Sequence, residues 1–419
     1  MERQIKQHID NPEQLEKLYR TDKTGFEKSF FAIYDEIANS NVAAFWKARL
    51  EYRHQPNSKP SIQKTAVFFL ILTCLIIGFL VKLPQLFNFE PNAIFYYEKN
   101  MGSIILLGLS IYVFLTKRPI NYKHLLTSVL IFGAATIYIN LLPLNKDSDS
   151  INLAYMHLPL FLWCVYGLIF INFDTRDKFK RIDYIKYNGD VAILSAIILI
   201  AGGILTGITL GLFSAIDLNI EQFYFDYIVI WGLVSAPIVA TYIIKTFPAL
   251  TNKIAPIIAT IFSPLVLITL TVYLVSVFIT GQDPYNDRDF LIVFNLMLLG
   301  VMAIIVFSAS ETSAQKRQRF NAITLFLLSV VTLMVDLIAL SAIVYRLGEF
   351  GFTPNRTVVL GSNLLIFGHL VLIMIALFKV AFKGKEMTSV ELTIAQYLPA
   401  YTVWTIFVTF GLPFIFGLK

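Results

Sequence analysis

Asp336 is the one acid in the middle of a long apolar run, and His369 is the one histidine so placed. An ionisable side chain inside a bilayer is costly, and such residues mark solute pathways and proton relays. The two stand on successive apolar stretches, 322–345 and 357–378, joined by the charged sequence YRLGEFGFTPNR. At 1.5 Å per residue, Asp336 lies about 14 Å below Tyr345 and His369 about 18 Å below Thr357. Antiparallel packing therefore brings them to similar depth. Ser329, Thr332 and Asp336 follow i, i+3, i+7 spacing and share one helical face. The expectation is an interior Asp336 that meets His369 or Asn363 and forms a protonatable site. The alternative is a neutral Asp336 bonded to neighbouring hydroxyls, pinning helices together.

A second group of polar residues collects at span ends. GQDPYNDRDF carries Asp283, Asp287 and Arg288, and the turn around Gly348, Gly351 and Pro354 carries Arg346, Glu349 and Arg356. These six could form an ion-paired lid or a vestibule for a charged solute; ordinary turn and cap chemistry is the plainer reading. No HExxH, GxSxG, GxxxxGK[ST] or paired CxxC occurs, so the sequence nominates no catalytic residue, cofactor or metal site. Cys74 and Cys164 sit within apolar runs and read as packing residues.

The elements that must position these groups are membrane helices. Of 419 residues, 56% are hydrophobic and only 15% charged, well below the roughly one quarter charged in soluble domains. Apolar runs cover 65–81, 101–116, 124–142, 153–171, 191–214, 227–244, 254–280, 290–308, 322–345, 357–378 and 395–417. Most approach or exceed the roughly 17 to 25 residues that cross a hydrocarbon core; the second is short. The fold expected is therefore an all-α integral membrane bundle of about eleven transmembrane helices in 64–419, with lipid as its surroundings. Gly203, Gly207 and Gly211, at four-residue spacing, read as a helix-packing stripe. Pro159, Pro237 and Pro264 read as kinks.

Charge sets the topology. With the N-terminus inside, all but seven of the 34 Lys and Arg fall on that side, the exceptions being Lys82, Lys99, Lys146, Arg288, Arg346, Arg356 and Lys419. The positive-inside rule then puts the N-terminus in the cytoplasm and the C-terminus outside. The basic excess is topogenic, and nucleic acid is excluded as a partner. Residues 1–63 are polar, hold no cleavable signal peptide, and leave the first apolar run as a signal anchor. They read as short amphipathic helices starting at Asn11-Pro12 and broken at 21–24 and 39–41. Their apolar residues (Leu15, Leu18, Phe26, Phe30, Ile33, Phe45, Leu50) look too few for an independent core, so docking on the cytoplasmic face is expected.

NPEQLEKLYR, FWKARLEYR, DPYNDRDFLIVFN and EFGFTPNR followed by VLGSNLLIFGH resemble the bacterial multi-pass family called domain of unknown function 4153. The most specific part is aromatic-Gly-x-Thr-x-x-Arg, carried by Phe350, Gly351, Thr353 and Arg356. The resemblance covers nearly the whole chain. It implies a bacterial inner-membrane protein and supplies no activity. Three functions stay open: a solute or ion transporter using Asp336; a scaffold or sensor whose residues 1–60 bind a cytoplasmic protein; and an enzyme on lipid-linked substrates using Asp283, Asp287, Glu349 or Arg356.

Overall fold

The computed structural model describes residues 1–54, 64–87, 95–117, 120–214, 219–248, 263–272, 274–275, 279, 288–312 and 318–418. Two compact units, Met1–Gln63 and Lys64–Lys419, divide the chain.

The first unit holds α1 (Glu2–Gln7), α2 (Pro12–Thr21), α3 (Lys23–Ala32), α4 (Tyr34–Ile37) and α5 (Asn41–His54). Asn11 caps α2 by accepting from the Gln14 amide at 3.2 Å, with Pro12 in the first turn. Asp22 then accepts from the Gly25 amide at 2.9 Å, so α3 starts one residue after α2 stops. These caps satisfy amides that a helix N-terminus otherwise leaves bare. The carboxylate of Glu16 lies 2.8 Å from both Arg20 and Arg49. The Arg20 hydrogen bond is the chief reason it titrates below the ordinary carboxylate range.

The expectation that this unit lacks a core is corrected. Ile5, Leu15, Phe26, Phe30, Trp46 and Leu50 are all buried together, with Tyr19, Ile33, Ile37 and Ala43 around them. Counting along single helices overlooked Ile5, Tyr19 and above all Trp46. Trp46 packs 4.9 Å from Phe26 and 5.2 Å from Tyr19, ring centre to ring centre, with Arg49 over its face at 4.6 Å. Phe45, assigned to the apolar face, is instead 63% exposed. Trp46→Ala is expected to cost about 3–5 kcal/mol, enough to open this unit, whereas Phe45→Ala is nearly neutral. Limited proteolysis of the full chain reads the difference as cleavage within residues 1–54 of the Trp46 variant only.

All regular secondary structure among the second unit's described residues is helical. Its long helices are α6 (Lys64–Val81), α7 (Tyr96–Thr116), α8 (Tyr122–Leu141), α9 (Asp149–Phe170), α10 (Lys178–Ser214) and α11 (Glu221–Thr246). There follow α12 (Ser263–Val272), α13 (Arg288–Thr312), α14 (Gln318–Phe350), α15 (Pro354–Lys383) and α16 (Thr388–Ile415). Among the described residues, nine of these (all but α12 and α13) are long and apolar enough to cross a membrane. Of the two remaining apolar runs, 254–280 lies partly outside the described residues and contributes the short apolar helix Ser263–Val272, while 290–308 lies within the helix Arg288–Thr312, whose described apolar part is Met297–Glu311. Among the described residues the fold is all-α, and its helices have the length and apolar composition of membrane spans.

Two large cores and a smaller cluster of Val358, Val408 and Leu412 hold the unit. One joins α6, α7, α9 and α11 through Ile77, Leu109, Leu158 and Ile238; its hydroxyls form a chain, Tyr166 to Tyr187 at 2.7 Å and Tyr187 to Thr241 at 2.6 Å. The other joins α13 to α16 through Ile305, Leu328, Ala339, Leu370 and Val390. Pro159 and Pro237 lie inside α9 and α11. The glycine stripe on α10 is corrected: Gly203 and Gly207 are exposed and meet no described atom within 4 Å of a built Cβ. Exposed Ile197, Ile200 and Ile204 surround them, so among the described residues this face packs against no other helix.

Candidate functional site

The hairpin of α14 and α15 places Asp336 and His369. Helix α14 runs on to Phe350, five residues past the predicted end, so Arg346, Gly348 and Glu349 are helical. The turn is only Gly351 to Thr353. Gly351 has φ +71°, a conformation that suits glycine. Thr353 caps α15, accepting from the Arg356 amide at 3.3 Å, and Pro354 occupies the first turn. The Arg356 guanidinium donates to the Phe350 and Gly351 carbonyls at 2.8 and 2.9 Å and stacks on the Phe350 ring at 5.3 Å. The aromatic-Gly-x-Thr-x-x-Arg pattern is therefore a clasp that ends one helix and starts the next.

Arg356 is thus engaged by the turn's carbonyls, and the described members of the suggested lid, Arg346, Glu349 and Arg356, make no ion pair with one another. Glu349 is exposed, and one guanidinium nitrogen of Arg346 is buried without a hydrogen bond. Asp283 and Asp287 lie outside the described residues, as does the side chain of Arg288. Arg356→Ala is expected to lower stability by about 1–3 kcal/mol, because two charge-assisted bonds to carbonyls are lost. Thermal unfolding in detergent measures the loss; a transport defect without it would restore Arg356 as a ligand.

At depth the site is more unusual. Asp336 is fully buried, and neither carboxylate oxygen has a hydrogen-bond partner. The expected partners are engaged elsewhere. Ser329 donates back to the Phe326 carbonyl at 2.7 Å and Thr332 to that of Leu328 at 2.6 Å. Asn363 donates to Asn295 of α13 at 2.7 Å. His369, also buried, has its Nδ1 3.0 Å from the Tyr401 hydroxyl and its ring stacked on Tyr397 at 4.3 Å, while Nε2 has no partner. Asp336 makes no hydrogen bond to His369, but its carboxyl lies within electrostatic reach of the Tyr401 phenol.

Small residues allow α16 this close to α15. A Cβ on Gly361 would stand 2.0 Å from the Trp404 ring, and one on Gly368 would stand 2.9 Å from the Tyr397 hydroxyl. Trp404 donates to the Ser362 hydroxyl at 3.0 Å, and Tyr397 to the Leu365 carbonyl at 3.0 Å. Tyr397 and Tyr401 were not singled out in the sequence. Their four-residue spacing on one helix face was the signal available.

Other charged groups also converge. Lys186 of α10 lies 3.2 Å from Glu391 of α16, which is 5% exposed. Glu311 of α13 is within electrostatic reach of Asp190, Lys186 and Glu391. Gly189, next to Asp190, lets the Phe307 ring come within 1.9 Å of where a Cβ would be. No group of three or more His, Cys, Asp or Glu among the described residues is arranged to hold a metal ion.

Lys82, after α6, is 5% exposed, has no hydrogen-bond partner and lies 4.6 Å from the Tyr227 ring centre. Burial holds its ammonium below the ordinary 10.5, partly offset by Asp226. Its charge therefore destabilises the fold fully at pH below the lowered value, and the penalty fades as pH rises towards 10.5. Lys82→Met is expected to raise the unfolding temperature at neutral pH, with a gain that shrinks on the alkaline side.

No protein-family model matches the chain, nor does any curated protein or any solved structure.

Proposed function

We propose that this is a proton-coupled membrane transporter in which Asp336 carries the proton. A fully buried carboxyl without a hydrogen-bond partner, beside the His369–Tyr401 pair, is the observation that supports it. An ionised carboxylate there costs several kcal/mol, so the resting form is the neutral acid. Such a group releases its proton only when water or a cation reaches it, which is what alternating access requires of a coupling site. His369 offers a second unpartnered site at Nε2.

In this reading α12 and α13 belong to two further spans, giving eleven, with the N-terminus in the cytoplasm and the C-terminus outside. The bacterial inner membrane and kinship with domain of unknown function 4153 belong to the same proposal. Proton flux into liposomes holding the full chain, driven by an imposed membrane potential, tests it. Flux that is the same in Asp336→Asn as in wild type sinks it.

A scaffold or sensor is the second reading, favoured by the separate core of Met1–Gln63. Removing residues 1–60 would then abolish function while Lys64–Lys419 stays folded. The enzyme reading gains no support, since Arg356 is occupied in the turn.

A further inference from the structure

A groove between α9, α10 and α16 lies apart from the Asp336 cluster. Its volume is about 400 Å³, within the range that holds a small-molecule ligand. Phe161 and Leu168 line one wall, with Val403 and Ile406 opposite. Val403 is 67% and Ile406 42% exposed, so the groove opens sideways on the apolar flank of the bundle. From Phe161 to Leu168 it runs about 10 Å along α9. Thr175 and Arg181 stand at one end, where α9 gives way to α10.

Arg181 gives that end its chemistry. Its two terminal nitrogens donate to the carbonyls of Ala395 at 3.0 Å and Thr175 at 2.8 Å. Both acceptors are neutral, and no carboxylate pairs with Arg181 among the described residues. The nearby acid Asp174 is already engaged by Lys180 at 2.5 Å, a bond that holds its carboxyl below the ordinary range. The stretch 174–183 holds four cations, Arg176, Lys178, Lys180 and Arg181, against three acids, Asp174, Asp177 and Asp183. An apolar groove ending at a guanidinium bonded only to carbonyls matches an amphiphile with an anionic head.

We propose that this groove binds one acyl chain of an anionic phospholipid, with the phosphate at Arg181. The seat is independent of Asp336, and either proposal stands without the other. Lipid bound there would tie α9, α10 and α16 together at the apolar flank.

The test is thermal unfolding of the full chain in neutral detergent, titrated with phosphatidylglycerol, with phosphatidylcholine of the same chains, and with inorganic phosphate. Phosphatidylglycerol is expected to bind about ten-fold tighter than phosphatidylcholine, the scale of one charge-assisted contact. Arg181→Gln should erase that preference and Arg181→Lys should keep it. Val403→Trp fills the exposed lip and should abolish the shift from both lipids without changing the lipid-free unfolding temperature. Because Arg181→Gln also loses two carbonyl bonds, the Val403 and Arg181→Lys variants decide if it fails to fold. Equal affinity for the two lipids in wild type overturns the proposal, as does a phosphatidylglycerol shift untouched by Val403→Trp. A comparable shift from inorganic phosphate would mark a free-anion site and overturn the lipid assignment.

Discussion

Asp336→Asn is expected to abolish the proton flux driven by a membrane potential and to leave the helix bundle folded. The carboxyl has no hydrogen bond to lose, so a neutral amide of the same shape changes stability by about 1 kcal/mol or less. Its effect on proton transfer is of another order. Removing a positioned proton carrier costs on the order of 100-fold or more in rate, and Asn cannot take over the role. His369→Gln separates the parts further. It removes the contact to Tyr401 and the stack on Tyr397, so both flux and unfolding temperature should fall. A structural pin predicts the reverse for Asp336→Asn: lower unfolding temperature at every pH, with flux per folded molecule unchanged. Measuring flux and unfolding on the same preparations tells the two apart.

The second large effect is on stability. Gly361→Ala puts a methyl 2.0 Å from the Trp404 ring. The ring cannot swing away freely, because its nitrogen is bonded to Ser362 and its face packs 5.4 Å from Phe407. Overpacking of this kind costs about 1–3 kcal/mol, and the rigid ring puts this case near the upper end. Pairing it with Trp404→Leu should recover part of the loss, giving a coupling energy on the order of 1 kcal/mol in a double-mutant cycle. Additive losses would mean that the two residues do not touch. The same seam carries Tyr397 and Tyr401 to His369, so Gly361→Ala should also reduce flux.

The chain's local punctuation was readable before any packing was known. Asn11-Pro12 starts α2 as its types dictate, because a cap needs only neighbouring residues. The apolar runs likewise announced helices long enough for a membrane, since length and hydropathy are properties of the segment alone. Asp336 stood out for the same reason, as the one acid deep in such a run.

Partnership is what the sequence did not contain. Helical spacing put Ser329 and Thr332 on the face of Asp336, yet both hydroxyls return to their own helix and leave the carboxyl alone. Asn363 and His369 reached the right depth but turned to Asn295 and Tyr401. Depth follows from counting residues along one helix. Rotation against the other helices is decided by packing, here by Gly361 and Gly368 admitting Trp404 and Tyr397. The meeting of Lys186 with Glu391 and the burial of Trp46 are likewise tertiary facts, because each joins residues that no single helix brings together.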